Sequence, residues 1–138
     1  MINNLKLHHI GVATKNIEKE FKTFQKLGYE NCSDIFEDPI QKMRALFIKS
    51  DNQPCLELIE GVGENNPVKS HVLKGNKFYH FAYETNNIEK DLEEFVNNKG
   101  AKIIVPITSA TYFEKICFAL LPNMMLVELV KLKENTRE

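Results

Sequence analysis

The sequence predicts an α+β fold made of two tandem copies of one β-α-β-β-β unit. Residues from His9 to Lys19 align, at an offset of 71 positions, with residues from His80 to Lys90, and six of these eleven pairs are identical. In each copy an apolar strand-like run precedes an amphipathic helical pattern and three further strand-like runs. One copy alone would leave one face of its sheet exposed to solvent, so the two copies are expected to pack on each other.

The repeat sets the predicted boundaries. We expect the copies at residues 5–61 and 76–132, a linker at 62–75 and a tail at 133–138. The whole chain, residues 1–138, is long enough for one domain, since domains commonly have about 100–200 residues.

The first copy begins with a predicted strand at Leu7–Thr14. Asn16 is a suitable helix N-cap, and Gly28 stands where a glycine that ends a helix is expected. The apolar positions of this helix have helical spacing and are Ile17, Phe21, Phe24 and Leu27. Three further strands are predicted at Tyr29–Ile35, Met43–Lys49 and Cys55–Ile59.

In the linker, Pro67 could open a short helix that Gly75 closes. The second copy has Asn87 as helix N-cap and Gly100 as the stop. Its apolar helix positions are Ile88, Leu92, Phe95 and Val96. Its later strands are predicted at Ala101–Ile107, Lys115–Leu121 and Met125–Val130.

Composition excludes several classes of function. Lys and Arg number 18 against 19 Asp and Glu, so the charge does not favour nucleic acid or an acidic membrane as a partner. No apolar run reaches the ~20 residues of a membrane-spanning helix, and the first residues lack a signal-peptide pattern. Cys32, Cys55 and Cys117 are odd in number and form no C-x-x-C motif, which favours free thiols and a cytoplasmic location.

Two histidines and two glutamates recur within the predicted strands. His9 and His80 lie early in the first strand of each copy, and Glu57 and Glu128 lie 48 positions later in the last strand. Side chains alternate between the faces of a strand, which places Ile10, Val12 and Leu58 toward the helix and His9 and Glu57 on the other face. Gly11 and Ala82, two residues after the histidines, are small and leave a hollow there.

A buried carboxylate is costly unless it is paired or binds a metal ion. Imidazole nitrogen with carboxylate oxygen suits Ni, Co, Mn, Fe or Zn, and four protein ligands on an octahedral ion leave two positions for water or substrate. Taken singly, each histidine could instead be a hydrogen-bonded core residue, and each glutamate could pair with a lysine at a sheet edge. His8 and His71 do not repeat, so we expect them at the surface.

The sequence resembles the vicinal-oxygen-chelate superfamily, the glyoxalase fold. The motifs that carry the resemblance span nearly the whole chain and are Leu7–Ala13, Leu56–Glu60, Tyr79–Glu84 and Leu126–Val130. The segment Asp38–Arg44 and the chain length resemble compact bacterial glyoxalase I-like members, and methylmalonyl-CoA epimerases share the same motifs. The resemblance implies a curved, partly open, β-barrel-like sheet with the helices outside, and it implies that His9, Glu57, His80 and Glu128 bind one divalent metal ion.

The chemistry that this resemblance implies is proton transfer next to a carbonyl in a small-molecule substrate with two neighbouring oxygens. Glu128 is expected to be the base and Glu57 its partner. Arg44 could hold a substrate carboxylate, and Tyr112 and Phe113 could cover the cavity mouth; alternatively Arg44 is a solvated strand residue and the two aromatic residues form a packed turn.

Three functions are therefore compared. The first is a glyoxalase I-like enzyme (lactoylglutathione lyase type), the second is an epimerase of a 2-substituted acid, and the third is a metal-free module that binds small molecules such as drugs. An iron dioxygenase is a weaker alternative, because such enzymes usually use one carboxylate ligand. A homodimer is also expected, and the sequence leaves open whether the cavity closes within one chain or across the dimer.

Overall fold

The computed structural model describes residues 5–134, with three helices and nine strands among them. The chain forms two compact units. Residues 9–79 make up the first, here called the N-terminal unit, and among the described residues 5–8 and 80–134 make up the second, the C-terminal unit.

The N-terminal unit has the element order expected for the first copy, with one extra strand. Its elements are β1 (Lys6–Thr14, in this unit from His9), α1 (Ile17–Gln25), β2 (Glu30–Asn31), β3 (Phe36–Asp38), β4 (Met43–Lys49), β5 (Leu56–Gly61) and α2 (Pro67–Leu73). The strands are ordered β2-β4-β5-β1, and β3 also pairs with β4. Strands β1 and β5 are parallel, while β4 is antiparallel to β2, β3 and β5.

The C-terminal unit repeats this arrangement. Its elements are β6 (Phe78–Glu84, in this unit from His80), α3 (Ile88–Lys99), β7 (Lys102–Ser109), β8 (Lys115–Leu120) and β9 (Leu126–Lys131). The strands are ordered β6-β9-β8-β7, with β6 and β9 parallel and the other two pairs antiparallel. A first strand parallel to a last strand is thus common to both units.

Alternation along the strands sorts the N-terminal unit into two faces, as predicted. The face toward α1 is apolar and contains, among others, Val12, Leu46, Ile48, Leu56 and Leu58, packed with Ile17 of α1. The opposite face carries Ala13, Ala45 and Ile59, which pack with Val68 of α2. His9 and Glu57 share this second face by strand parity.

Helix α1 begins as predicted and ends earlier than predicted. The side chain of Asn16 accepts a hydrogen bond from the backbone N–H of Lys19. The helix ends at Gln25, after which the N–H groups of Lys26 and Leu27 bond to carbonyls only three residues earlier and tighten the last turn. Leu27 therefore lies outside the helix and is 60% exposed, so its predicted place in the apolar stripe is wrong.

The predicted strand Tyr29–Ile35 is also wrong, since this stretch holds only β2 and is followed by β3. The Ser33 hydroxyl accepts a hydrogen bond from the backbone N–H of Phe47, and the Asn31 amide donates to the Ser33 carbonyl. Side-chain bonds of this kind replace ladder hydrogen bonds and interrupt a strand.

The other predicted boundaries lie close to the observed ones. Asn87 caps α3, and Gly100 ends it in the left-handed conformation with φ of 68°. The expected short helix at Pro67 is α2, and Gly75, with φ of 83°, follows it. Among residues 5–134, no helix has both the length and the apolar character that crossing a membrane requires.

Candidate metal centre

The N-terminal unit contains a buried His–Glu pair. Parallel pairing of β1 with β5 sets Gly11 opposite Glu57, and His9 lies two residues earlier on the same face. The Nε2 atom of His9 is 3.1 Å from Oε1 of Glu57, and the two side chains are 0% and 4% exposed.

The C-terminal unit contains the same pair. Parallel pairing of β6 with β9 sets Ala82 opposite Glu128, and His80 lies two residues earlier. The Nε2 atom of His80 is 3.0 Å from Oε1 of Glu128, with the side chains 1% and 4% exposed. The sequence repeat therefore corresponds to two local arrangements with the same contacts.

A phenyl ring lies beside each imidazole. The rings of His9 and Phe47 meet nearly edge-on, with centroids 5.0 Å apart and planes at 77°. His80 and Phe118 have the same relation, at 5.1 Å and 88°. Phe47 and Phe118 are 71 positions apart, which is the offset of the repeat, and this match is the sequence signal that points to them.

The donor atoms fit a divalent metal ion. Each buried pair offers imidazole nitrogen and carboxylate oxygen, the borderline-hard set that Ni, Co, Mn, Fe and Zn accept. Two ligands about 2.1 Å from one ion and about 90° apart lie about 3.0 Å from each other. The 3.0 and 3.1 Å separations within the pairs match that value, so each pair can supply two neighbouring ligands without rearrangement.

The cysteines are free thiols among the described residues, as predicted. Burial raises the pKa of the Cys55 thiol to about 12, with smaller contributions from Cys32 and the Glu57 carboxylate. Burial likewise raises the pKa of Cys117 to about 12. Both thiols are therefore protonated at neutral pH, and thiolate is the form that binds metal or attacks substrates.

Arg44 lies on the face of β4 opposite Phe47, toward α1. Its Nη1 atom is 2.9 Å from Oε1 of Glu60, and its Nη2 atom is 3.4 Å from a carboxylate oxygen of Glu18. The hydrogen bond to Glu60 is the main reason that the pKa of Arg44 is raised. The guanidinium thus has two carboxylate partners within the protein, and contact with substrate stays a prediction.

Tyr112 and Phe113 lie between β7 and β8, in the loop where the sequence placed them. Phe113 is buried, and its ring contacts His8 at 5.1 Å and Tyr112 at 5.2 Å. Their part in covering a substrate stays a prediction.

The expectation that His8 and His71 are surface residues holds only in part. Both are half-buried. The His8 ring packs against Phe113, and the His71 ring packs against Tyr79 at 5.1 Å while its Nε2 atom bonds to the Phe78 carbonyl. Aromatic contacts from neighbouring segments cover these rings, and a repeat comparison carries no information about such contacts.

Comparison with known proteins identifies relatives of this fold. The model of the Glyoxalase/Bleomycin resistance protein/Dioxygenase superfamily matches residues 8–118. No curated protein gives a significant match.

Several solved structures are similar over nearly the whole chain. The hypothetical protein BH1468 from Bacillus halodurans C-125 is 22% identical, with a TM-score of 0.82, covering 99% of this chain and 100% of its own. Methylmalonyl-CoA epimerase from Mycobacterium tuberculosis is 16% identical, with a TM-score of 0.80, covering 94% and 89%. A methylmalonyl-CoA epimerase in complex with methylmalonyl-CoA and NH4+ is 20% identical, with a TM-score of 0.78, covering 96% and 97%. At these identities the likeness establishes the fold.

Proposed function

Because the chain belongs to the Glyoxalase/Bleomycin resistance protein/Dioxygenase superfamily, we propose that it is a divalent-metal enzyme that moves a proton at the carbon next to a substrate carbonyl. The observation that carries this proposal is the pair of buried His–Glu contacts, at 3.1 Å in one unit and 3.0 Å in the other. Burying a carboxylate costs free energy unless the group is paired or binds a metal ion. Binding of a metal ion would compensate for that cost in both units.

The proposed ligands are His9, Glu57, His80 and Glu128, acting together on one ion of Ni, Co, Mn, Fe or Zn. The support is their burial, their matched chemistry and the ligand-like separation within each pair. With four protein ligands, an octahedral ion would keep two positions for the neighbouring oxygens of a substrate.

When bound, the ion would supply Lewis acidity that stabilises negative charge on the substrate oxygen. The protein supplies the proton transfer. Glu128 takes the carbon-bound proton, and its return to the neighbouring carbon gives isomerisation. Epimerisation instead needs a proton delivered to the opposite face of the same carbon, which the protonated Glu57 would supply while Glu128 keeps the proton it took until that proton exchanges with solvent. Glu57 is the second carboxylate, and the strands bury both away from bulk water.

Glyoxalase-type isomerisation of a glutathione hemithioacetal is the first candidate reaction. Epimerisation of a 2-substituted acyl thioester is the second, and it is favoured by the fold likeness to the methylmalonyl-CoA epimerases. Arg44, Tyr112 and Phe113 as substrate contacts, a homodimer and a cytoplasmic location remain predictions.

The test begins with protein purified without chelator. Elemental analysis is expected to find about one equivalent of divalent metal per chain in the native protein. His80→Ala and Glu128→Ala are expected to lose it. His71→Ala is the matched control, because it removes a half-buried histidine that contacts Tyr79 and neither glutamate pair, and it should keep its metal.

Measurement of turnover then distinguishes the two candidate reactions. Both substrates are incubated in D2O, and deuterium incorporation next to the carbonyl is followed by NMR. Isomerisation of the hemithioacetal would assign the first reaction, and exchange with inversion in the acyl thioester would assign the second. Native protein that retains no metal and exchanges neither substrate would contradict the proposal and favour the metal-free binding module.

A further inference from the structure

Each proposed metal-ligand pair has one phenylalanine beside it, which pairs with the glutamate in the strand register and contacts the ring of the histidine. Phe47 of β4 lies opposite Glu57 in the strand register and is also the ring partner of His9. Phe118 of β8 lies opposite Glu128 and is the ring partner of His80. Both are buried, at 1% and 7% exposure.

We infer that Phe47 and Phe118 are positioning residues, which fix the two imidazoles so that Nε2 faces the glutamate of the same pair. The inference rests on the proposed metal centre. Rotation of an imidazole about its Cβ–Cγ bond has only a broad intrinsic preference, so packing decides which ring nitrogen points to the carboxylate. A phenyl ring held nearly perpendicular to the imidazole restricts that rotation.

Simple core filling would not require this contact to be the same in both units. The surroundings of the two phenylalanines do differ. Phe36 stacks on Phe47 with centroids 5.8 Å apart and planes at 15°, whereas the residue at the matching offset in the second copy is Ile107. Ile107 packs against the α3 core, on the side of β8 away from Phe118, so the contact with histidine is kept without the stacked ring. This favours the histidine as the reason for the phenylalanine.

The test compares three variants that make the same chemical change. Phe47→Leu and Phe118→Leu each remove one ring beside a histidine. Phe24→Leu is the matched control, since it removes an edge-on contact with Tyr29, at 5.5 Å and 82°, on the α1 side of the sheet. Should Phe47→Leu fail to fold, Phe47→Met keeps more of the volume while still removing the ring.

Two readouts are measured. The first is the affinity for Co2+, by competition with a chelating dye, together with the visible spectrum of the bound ion. Loss of one ring contact is expected to weaken Co2+ binding roughly 2–10-fold and to alter the spectrum. The second readout uses metal-free protein: long-range proton–nitrogen NMR spectra, which report which nitrogen of each histidine carries the proton.

In the metal-free protein, Phe47→Leu is expected to turn a single tautomer of His9 into a mixture and to leave His80 unchanged. Phe118→Leu is expected to do the reverse, and Phe24→Leu to change neither. Folded Phe47→Leu and Phe118→Leu variants with native Co2+ affinity and native tautomers would overturn the inference. A native protein that binds no Co2+ would instead end the proposed function, and the tautomer spectra would still decide the role of the phenylalanines.

Discussion

The guanidinium of Arg44 joins two elements through Glu60: its Nη1 atom lies 2.9 Å from Oε1 of that residue. The other oxygen of the same carboxylate accepts the backbone N–H of Ile17, the first residue of α1, at 3.0 Å. One partly buried glutamate thus serves both a strand arginine and a helix N-terminus, where a negative charge is favourable.

This contact leads to the first prediction. Arg44→Met should lower the free energy of unfolding by about 1–2 kcal/mol, because it removes a charge-assisted hydrogen bond that is only partly exposed to solvent. Denaturant unfolding followed by circular dichroism measures the change. Metal content should stay native, since Arg44 lies on the α1 side of β4.

Lys115→Met is the matched control in the other unit, where Lys115 pairs with the exposed Glu89 at 3.0 Å. Its effect on stability should be smaller, because exposed ion pairs contribute little. If Arg44→Met instead leaves stability unchanged and raises KM, the arginine binds substrate as the sequence suggested.

The sequence predicts which strand face carries each residue of the candidate site, because strand alternation is a short-range rule. Strand alternation placed Ile10 and Val12 against the helix and His9 on the other face, and the packing of the N-terminal unit confirms this. Helix caps at Asn16 and Asn87 are local signals of the same kind.

What the sequence could not predict depends on contacts between distant segments. The Ser33 hydroxyl interrupts a strand by bonding to Phe47, fourteen positions away. The partners of Arg44 become apparent only when β4, β5 and α1 are placed together. Neither hydrophobic periodicity nor the repeat carries that information.

The second prediction separates the roles of the two carboxylates. Glu128→Gln keeps the shape of the side chain and removes its ability to accept a proton, so exchange of the substrate proton with D2O should fall by about 10²–10⁴-fold. Glu57→Gln should reduce exchange less. NMR of the recovered substrate measures both, with metal content determined in parallel so that loss of metal is not mistaken for loss of the base. The opposite ranking would make Glu57 the base.

The third prediction concerns metal and stability. An ion that binds the folded chain and not the unfolded chain stabilises it by about 2.7 kcal/mol at 100 times its dissociation constant. Adding Co2+ to chelator-treated protein should therefore raise Tm in proportion to the logarithm of its concentration. His80→Ala should abolish the rise and His71→Ala should keep it, as scanning calorimetry would show. An equal rise in all three proteins would indicate non-specific binding elsewhere.

The last prediction follows from Cys117, which is fully buried on β8 in the core against α3. Burial raises its pKa from 9.0 to about 12, so the unfolded chain loses this proton at a lower pH than the folded chain does. The stability that the protonated thiol contributes is complete below pH 9 and is lost as the pH rises toward 12.

Unfolding free energies at pH 8 and pH 10.5 should therefore differ less in Cys117→Val than in the native protein. Leu92→Val is the control, because it changes the same core cluster without removing an ionisable group, and it should leave the native slope intact. An unchanged slope in Cys117→Val would mean that other groups, and not this thiol, set the alkaline limit of stability.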